Sequence, residues 1–260
     1  MSWLLDKLRG RRRIGLSLSG GGMRGFGHIG VVQALEEQGY RPEFIAGSSA
    51  GAIVGALYAA GHSPQAMLEI AEAHNLFPAT AFRLRTTGFL DTKFLSDIFR
   101  KSIPENSFET LRLPLYVATT NINTGQVAYV SQGPLDVALL ASSSVPLVFA
   151  PIQRDDGPYY DGGILDNLPI EPLRRRCNML IGVNVNALDD VKGVEMTPIK
   201  TIDRIVHLAL SQSVRQNAKR CDLYIEPPGM LQFGMFDKKK QFEIYQYAYD
   251  YASAYLAKQS

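Results

Sequence analysis

Apolar residues recur along this chain with two spacings, one typical of strands and the other of helices. Alternating positions such as Ile14, Leu16 and Leu18, together with short continuous apolar runs, predict strands. The predicted strands cover residues 14–18, 44–46, 115–120, 126–130, 179–185 and 223–225. Apolar residues that return every third or fourth position predict helices. Three of the seven predicted helices have both ends defined, at residues 50–60, 92–101 and 199–218. Of the other four, one runs from about residue 26 to just before Gly39, one starts at Pro64, one runs from Pro134 toward Pro146, and the last starts at Asp237.

The order of these elements indicates the fold class. Strands that alternate with helices are typical of a mostly parallel central sheet covered by helices on both faces. The segment 179–185 is apolar at nearly every position, as a strand buried on both faces requires. We therefore expect an α/β fold, built as a single domain over residues 14–260 after a basic segment at residues 1–13.

Composition and charge narrow the class of protein. The 260 residues are 46% hydrophobic and 20% charged, which are the proportions of an ordinary globular domain. A net charge of +2 provides no broad basic surface, so we expect no nucleic-acid partner. No apolar stretch has the length of a membrane span, and the N-terminus lacks the apolar core of a secretory signal. Together with only two cysteines, far apart, these features predict a cytoplasmic protein.

Two segments combine apolar with basic side chains and leave a peripheral membrane contact open. Residues 1–13 mix Trp3 and three leucines with five basic residues, which fits either an amphipathic helix on anionic lipid or a frayed terminus. Residues 233–240 place apolar side chains before three lysines, where core packing is the alternative. A stripe of aromatic residues on the last predicted helix indicates packing or a dimer contact; it consists of Phe242, Tyr245 and Tyr249.

The segment Gly47-Ser48-Ser49-Ala50-Gly51 has the form of a nucleophile elbow. It lies between a short apolar strand and a helix of small residues, which is where such a turn holds a serine hydroxyl clear of the sheet. The glycines at 47 and 51 make room for the turn, and the helix directs its positive end at the serine. The sequence therefore predicts Ser49 as a nucleophile; the alternative is a small-residue turn needed only for helix–sheet packing.

A second glycine-rich turn follows the first strand and offers backbone amides to an oxyanion. Gly20, Gly21, Gly22, Arg24 and Gly25 form the candidate oxyanion hole, because a helix N-terminus presents unpaired amides to developing negative charge. A dinucleotide site would need a carboxylate at the end of the second strand, and a Walker loop would need Gly-Lys-Ser/Thr; the chain has neither there. A purely structural turn stays open as an alternative.

The base is harder to identify, because no histidine is well placed for a serine triad. His207 is the one histidine beyond the acidic candidates and lies inside a predicted helix, and His28 fits a packing role. The segment Asp161-Gly162-Gly163 instead brings a carboxylate next to flexible backbone. We expect a Ser–Asp dyad with Asp161 as base, with Asp166 as the rival, and burial must raise the aspartate pKa for this role.

Four blocks in this order resemble the patatin-like phospholipase family, over about residues 14–185. They are Gly-Gly-Gly-x-Arg-Gly with His-Ile-Gly-Val after it, Gly-x-Ser-x-Gly, Ser-Ser-Ser-Val-Pro-x-x-Phe-x-Pro, and Asp-Gly-Gly-x-x-x-Asn-x-Pro. The resemblance implies a patatin-like variant of the α/β hydrolase architecture, Ser49 as nucleophile and Asp161 as its partner. It also implies the amides of Gly21 and Gly22 as oxyanion hole, with Arg24 holding that loop. The compact length is similar to that of small bacterial members, and no cofactor or metal is expected.

The sequence thus predicts a serine hydrolase that cleaves acyl esters of phospholipids or other lipids through an acyl-Ser49 intermediate. Two alternatives remain open at this point. One is a thioesterase or acyltransferase that uses the same dyad, since all three share the acyl-enzyme. The other is a lipid-binding regulatory protein that keeps the fold with little turnover.

Overall fold

The structure is a computed structural model, and it describes residues 12–74, 93–146, 149–188, 198–233 and 240–259. Most of the basic segment 1–13, the apolar side chains at 235 and 236, and the predicted helix start at Asp237 lie outside these residues. The proposed lipid contacts of those segments, and the division of the chain at residue 13, therefore stay predictions.

The described residues form one mixed sheet of eight strands. In chain order these are β1 (Ile14–Leu18), β2 (Pro42–Ser48), β3 (Leu115–Asn121), β4 (Gln126–Val130), β5 (Ile152–Arg154), β6 (Gly157–Asp161), β7 (Met179–Val183) and β8 (Leu223–Ile225). The spatial order is β5-β6-β3-β2-β1-β7-β8, with β4 also paired to β3. The pairs from β3 through β2, β1 and β7 to β8 are parallel, and those that involve β4, β5 or β6 are antiparallel.

Seven α-helices accompany the sheet in the described residues. They are α1 (Gly25–Glu37), α2 (Ala50–Ala59), α3 (Pro64–His74), α4 (Lys93–Ser102), α5 (Leu135–Ser142), α6 (Pro198–Ala218) and α7 (Gln241–Leu256). The predicted α/β class is therefore confirmed, with a mostly parallel sheet between helices. Because parallel strands share their carboxyl edge, the turns after β1, β2 and β7 lie side by side.

One part of the sheet does not follow from the sequence pattern: the hairpin of β5 and β6. Its strands have only three and five residues, and the turn between them holds two adjacent acidic residues, so the apolar pattern is weak. Gly157 has a φ of 130°, a conformation that favours glycine. The hairpin positions the candidate base, since Asp161 is the last residue of β6 and pairs with Thr119 of β3.

Helix α1 lies against the last helix, α7, at very short range. A Cβ added at Gly30 would lie 2.3 Å from the backbone oxygen of Tyr245. Tyr245 is buried, its ring stacks on that of Tyr249, and the Tyr249 hydroxyl donates to Glu37 of α1 at 2.7 Å. Of the aromatic stripe on α7, Tyr245 thus packs within the protein, whereas Phe242 is 60% exposed.

The close helix contact leads to a stability prediction. We expect Gly30→Ala to lower the free energy of unfolding by about 1–3 kcal/mol, because the new methyl group forces backbone apart in a packed core. Gly27→Ala is the matched control, since both variants gain the same helix propensity but its added Cβ meets only side chains, at 3.1 Å or more. Urea denaturation of both variants measures the difference. Equal stabilities would contradict the packing argument.

Among the described helices, none combines the length and the apolar character that a bilayer crossing demands.

Candidate active site

Ser49 occupies a strained turn between β2 and α2. Its backbone has φ 50° and ψ −121°, and a positive φ is uncommon for any residue other than glycine. A Cβ added at Gly47 would lie 2.5 Å from the carbonyl carbon of Gly51, and one at Gly51 would lie 2.4 Å from the Leu18 oxygen. Both positions therefore exclude side chains. The Ser49 amide donates to Ser142 Oγ at 2.8 Å, which ties the elbow to α5.

Asp161 lies beside this turn and is buried, with 8% of its surface exposed. Its carboxylate accepts a hydrogen bond from the Gly163 amide at 2.7 Å, and the Ser49 hydroxyl is close enough to lower the carboxylate pKa as a donor does. Burial raises the pKa of Asp161 from 3.8 to about 6, against the lowering effect of the Gly163 amide and the Ser49 hydroxyl. A Cβ added at Gly162 would lie 2.2 Å from the Ala118 oxygen, so this glycine lets the chain turn tightly against β3. The structure thus brings Ser49 and Asp161 together, 112 residues apart in the chain.

The first glycine loop lies against the elbow. A Cβ added at Gly20 would be 3.2 Å from the Ser49 Cβ. The Gly20 amide donates to Asn167 Oδ1 at 3.1 Å, and the Gly25 amide donates within the loop to the oxygens of Gly22 and Met23. The Arg24 amide donates to the Gly21 oxygen at 3.1 Å, so three of the five candidate residues have engaged amides: Gly20, Arg24 and Gly25.

The amides of Gly21 and Gly22 differ from these, since they donate no hydrogen bond to any residue that the structure describes. Arg24 is 2% exposed and contributes its side chain as well. Its Nε donates to the Phe233 oxygen at 3.0 Å and its Nη1 donates to Asn186 Oδ1 at 2.7 Å. The guanidinium therefore joins the loop to two distant segments.

The other candidate bases have different partners. His28 Nε2 lies 2.7 Å from the Ser19 carbonyl oxygen and must donate to it, and complete burial lowers the His28 pKa to about 4. Asp166 accepts from the Tyr129 hydroxyl at 2.6 Å and from Asn217 Nδ2 at 3.0 Å. Both residues therefore support the surrounding structure. The side chain of His207 lies outside what the structure describes.

Two asparagines at the site had no assigned role in the sequence analysis. Asn167 belongs to the block that starts at Asp161, and its side chain would contact a Cβ at either Gly20 or Gly163. Asn186 falls in a polar stretch after β7, where the sequence alone shows no motif. The hydrogen bonds that these two asparagines make with Gly20 and Arg24 do not follow from local sequence pattern, because each joins segments more than 140 residues apart.

The fold and this site place the chain among α/β proteins with a strained strand–turn–helix segment, of the geometry of a nucleophile elbow, at the carboxyl edge of a mostly parallel sheet. Comparison with known families narrows this class. The model of the patatin-like phospholipase family matches residues 16–174, and the chain belongs to that family. The resemblance seen in the four sequence blocks is thereby confirmed.

Two relatives and one solved structure illustrate the similarity. An uncharacterised NTE family protein of Mycobacterium tuberculosis is 35% identical over 208 residues, which cover 77% of this chain and 57% of that protein. The lysophospholipase nte1 of Emericella nidulans is 30% identical over 291 residues, with 95% of this chain and 18% of the relative covered. The chain thus spans from about a fifth to somewhat over half of these relatives. The crystal structure of VipD from Legionella pneumophila superposes with a TM-score of 0.56 at 16% identity, and covers 95% of this chain and 67% of VipD.

Proposed function

We propose that this protein is a serine hydrolase of lipid acyl esters, of the phospholipase A or lysophospholipase type, in which Ser49 and Asp161 form a catalytic dyad. The observation that carries the proposal is the position of the Ser49 hydroxyl beside the buried Asp161 carboxylate, whose pKa burial raises and the hydroxyl lowers. Membership of the patatin-like phospholipase family and the lysophospholipase named among the relatives support the lipid substrate.

The proposed reaction has two halves that share the dyad. Ser49 Oγ attacks the ester carbonyl carbon while its proton passes to Asp161, and the alcohol leaves with that proton as the ester C–O bond breaks. Water then attacks the acyl-Ser49 ester, gives its proton to Asp161, and releases the fatty acid as Ser49 regains a proton. In both halves the carbonyl oxygen becomes negative, and the amides of Gly21 and Gly22 are the donors proposed to stabilise it.

The raised pKa of Asp161 suits this role. A carboxylate with an ordinary pKa is a weak base for a serine hydroxyl, whereas one near 6 takes the proton more readily and is still ionised at pH 7. The elbow adds a second contribution, because the N-terminus of α2 directs its positive end at the developing charge.

Incubation of the protein with mixed membrane lipids, followed by mass spectrometry, tests the proposed activity. We expect free fatty acids to accumulate with wild-type protein and not with Ser49→Ala. The head group of the consumed lipid then identifies the substrate. Acyl transfer to an added alcohol without fatty acid release would instead show a transferase.

A lipid surface is the proposed partner at the rim of the site. Ile164 and Leu165 follow Asp161 by three and four residues and are 37% and 41% exposed. Exposed apolar side chains next to the base are suited to contact with acyl chains that leave a membrane. This contact is proposed independently of residues 1–13.

A paired assay separates lipid contact from chemistry. We expect Leu165→Ser to reduce hydrolysis of phospholipid in vesicles by about threefold to tenfold, since less apolar area is buried at the interface, and to leave hydrolysis of a water-soluble ester unchanged. Phe242→Ser is the control, because Phe242 is also apolar and exposed but lies on α7. Equal losses on the two substrates, or in the two variants, would exclude a specific lipid contact at Leu165.

A further inference from the structure

Asn186 bridges the two parts of the glycine loop that matter for the proposed oxyanion hole. It lies just beyond β7, which pairs with β1, and β1 leads directly into the loop. Its Nδ2 donates to the Gly20 carbonyl oxygen at 2.5 Å, and its Oδ1 accepts from Arg24 Nη1 at 2.7 Å. One side chain thus contacts both the start of the loop and the arginine that anchors its end.

The orientation of this amide follows from its two partners. A carbonyl oxygen can only accept and a guanidinium can only donate, so the Nδ2 and Oδ1 atoms of Asn186 cannot be exchanged. The residue is itself held by β8. The Asn186 backbone amide donates to Asn184 Oδ1 at 3.2 Å, Asn184 Nδ2 donates to Glu226 at 2.5 Å, and the Tyr224 hydroxyl donates to Glu226 at 2.7 Å. The bridge is therefore fixed at both ends.

The bond to the Gly20 oxygen determines where the Gly21 amide points. In a planar trans peptide the C=O of one residue and the N–H of the next point in opposite directions. Holding the Gly20 oxygen toward Asn186 therefore directs the Gly21 N–H to the other side of the loop. The Gly20 N–H is already held by Asn167, so the peptide units on both sides of Gly20 have fixed orientations.

We propose that Asn186 is a positioning residue that aims the Gly21 amide at the oxyanion formed on Ser49. The role rests on the proposed function. Glycine backbone rotates more freely than that of other residues, so the Gly20–Gly21 peptide needs restraint. The Ser19 hydroxyl donates to the same Gly20 oxygen at 2.9 Å, and the Asn186 bond supplies the restraint from outside the loop. Without it the Gly21 N–H spends less time toward the oxyanion, and stabilisation of the transition state falls while binding of the substrate does not.

Asn186→Asp separates this role from a merely structural one. An aspartate has the same size and keeps an acceptor for Arg24, but its ionised carboxylate cannot donate to the Gly20 oxygen. Asn186→Ala removes both contacts without adding charge. Asn123→Asp is the control for the same chemical change, because Asn123 is an exposed residue in the turn between β3 and β4.

The experiment measures kcat and KM with a short-chain p-nitrophenyl ester, together with the affinity for a trifluoromethyl ketone that forms a tetrahedral adduct on serine. For Asn186→Asp and Asn186→Ala we expect kcat to fall by about 10- to 100-fold with KM nearly unchanged. We expect ketone affinity to fall in parallel with kcat/KM, and wild-type values for Asn123→Asp.

A wild-type kcat in a folded Asn186→Asp variant would overturn the positioning role. A higher KM with unchanged kcat would also overturn it, and so would an equal loss of kcat in Asn123→Asp. These outcomes leave the proposed function standing if wild-type protein hydrolyses the ester and Ser49→Ala does not. An inert wild-type protein would overturn the proposed function and the role of Asn186 with it.

Discussion

Replacing Ser49 by alanine is expected to abolish hydrolysis of a short-chain p-nitrophenyl ester, with a fall in kcat of at least about 10³-fold. Ser49 is the nucleophile in the proposed reaction, and no acyl-enzyme forms without its Oγ. The fold should survive, because the elbow is tied to Ser142 through the Ser49 backbone amide. A fluorophosphonate probe should label wild-type protein and leave the variant unlabelled.

The neighbouring serine provides a matched control. Ser48 is fully buried, and its Oγ has no hydrogen-bond partner among the described residues. We therefore expect Ser48→Ala to retain activity and labelling at close to wild-type levels. Covalent labelling that persists in Ser49→Ala would show that another residue is the nucleophile.

Replacing Asp161 by asparagine is expected to lower kcat by at least about 10²-fold, because the amide keeps the shape of the carboxylate but cannot take the proton from Ser49. The pH profile offers a second signature. Since the base acts when ionised and its pKa is about 6, wild-type kcat/KM should fall about tenfold per pH unit below that value and level off above it. The residual activity of the variant should lack this acidic limb.

Asp166→Asn tests the rival carboxylate under the same conditions. The Asp166 carboxylate accepts from Tyr129 and Asn217, so we expect a much smaller effect on kcat and an unchanged acidic limb. If the limb disappears in Asp166→Asn and persists in Asp161→Asn, the assignment of the base is wrong.

The sequence predicts best the parts of the structure whose contacts join residues close together in the chain. The elbow at Ser49 combines an apolar strand, closely spaced glycines and a helix of small residues within about 15 positions, and each part constrains its neighbours. The strands of the parallel part of the sheet can also be predicted from the sequence, because buried strands are apolar along their length. These parts of the fold follow from periodicity and from the steric demands of a tight turn.

The features that the sequence does not predict depend on contacts between segments distant in the chain. Strands β5 and β6 are too short and too polar to stand out, and their position follows from pairing with β3. Which loop amides are engaged depends on Asn167, and the orientation of the Gly20 carbonyl depends on Asn186. The raised pKa of Asp161 is likewise a property of burial, which no neighbouring residue in the chain encodes.

The position of Asp161 on the edge hairpin has a consequence for the order of events during synthesis. The elbow can form as soon as β1, β2 and α2 have left the ribosome, because these elements are consecutive in the chain and β1 and β2 pair with each other. Asp161 reaches Ser49 only after β6 has paired with β3, once the chain is extended by a further 102 residues beyond the end of α2. In the proposed mechanism a nascent chain therefore carries the serine before its base, and would acquire hydrolytic activity only when the edge of the sheet is in place.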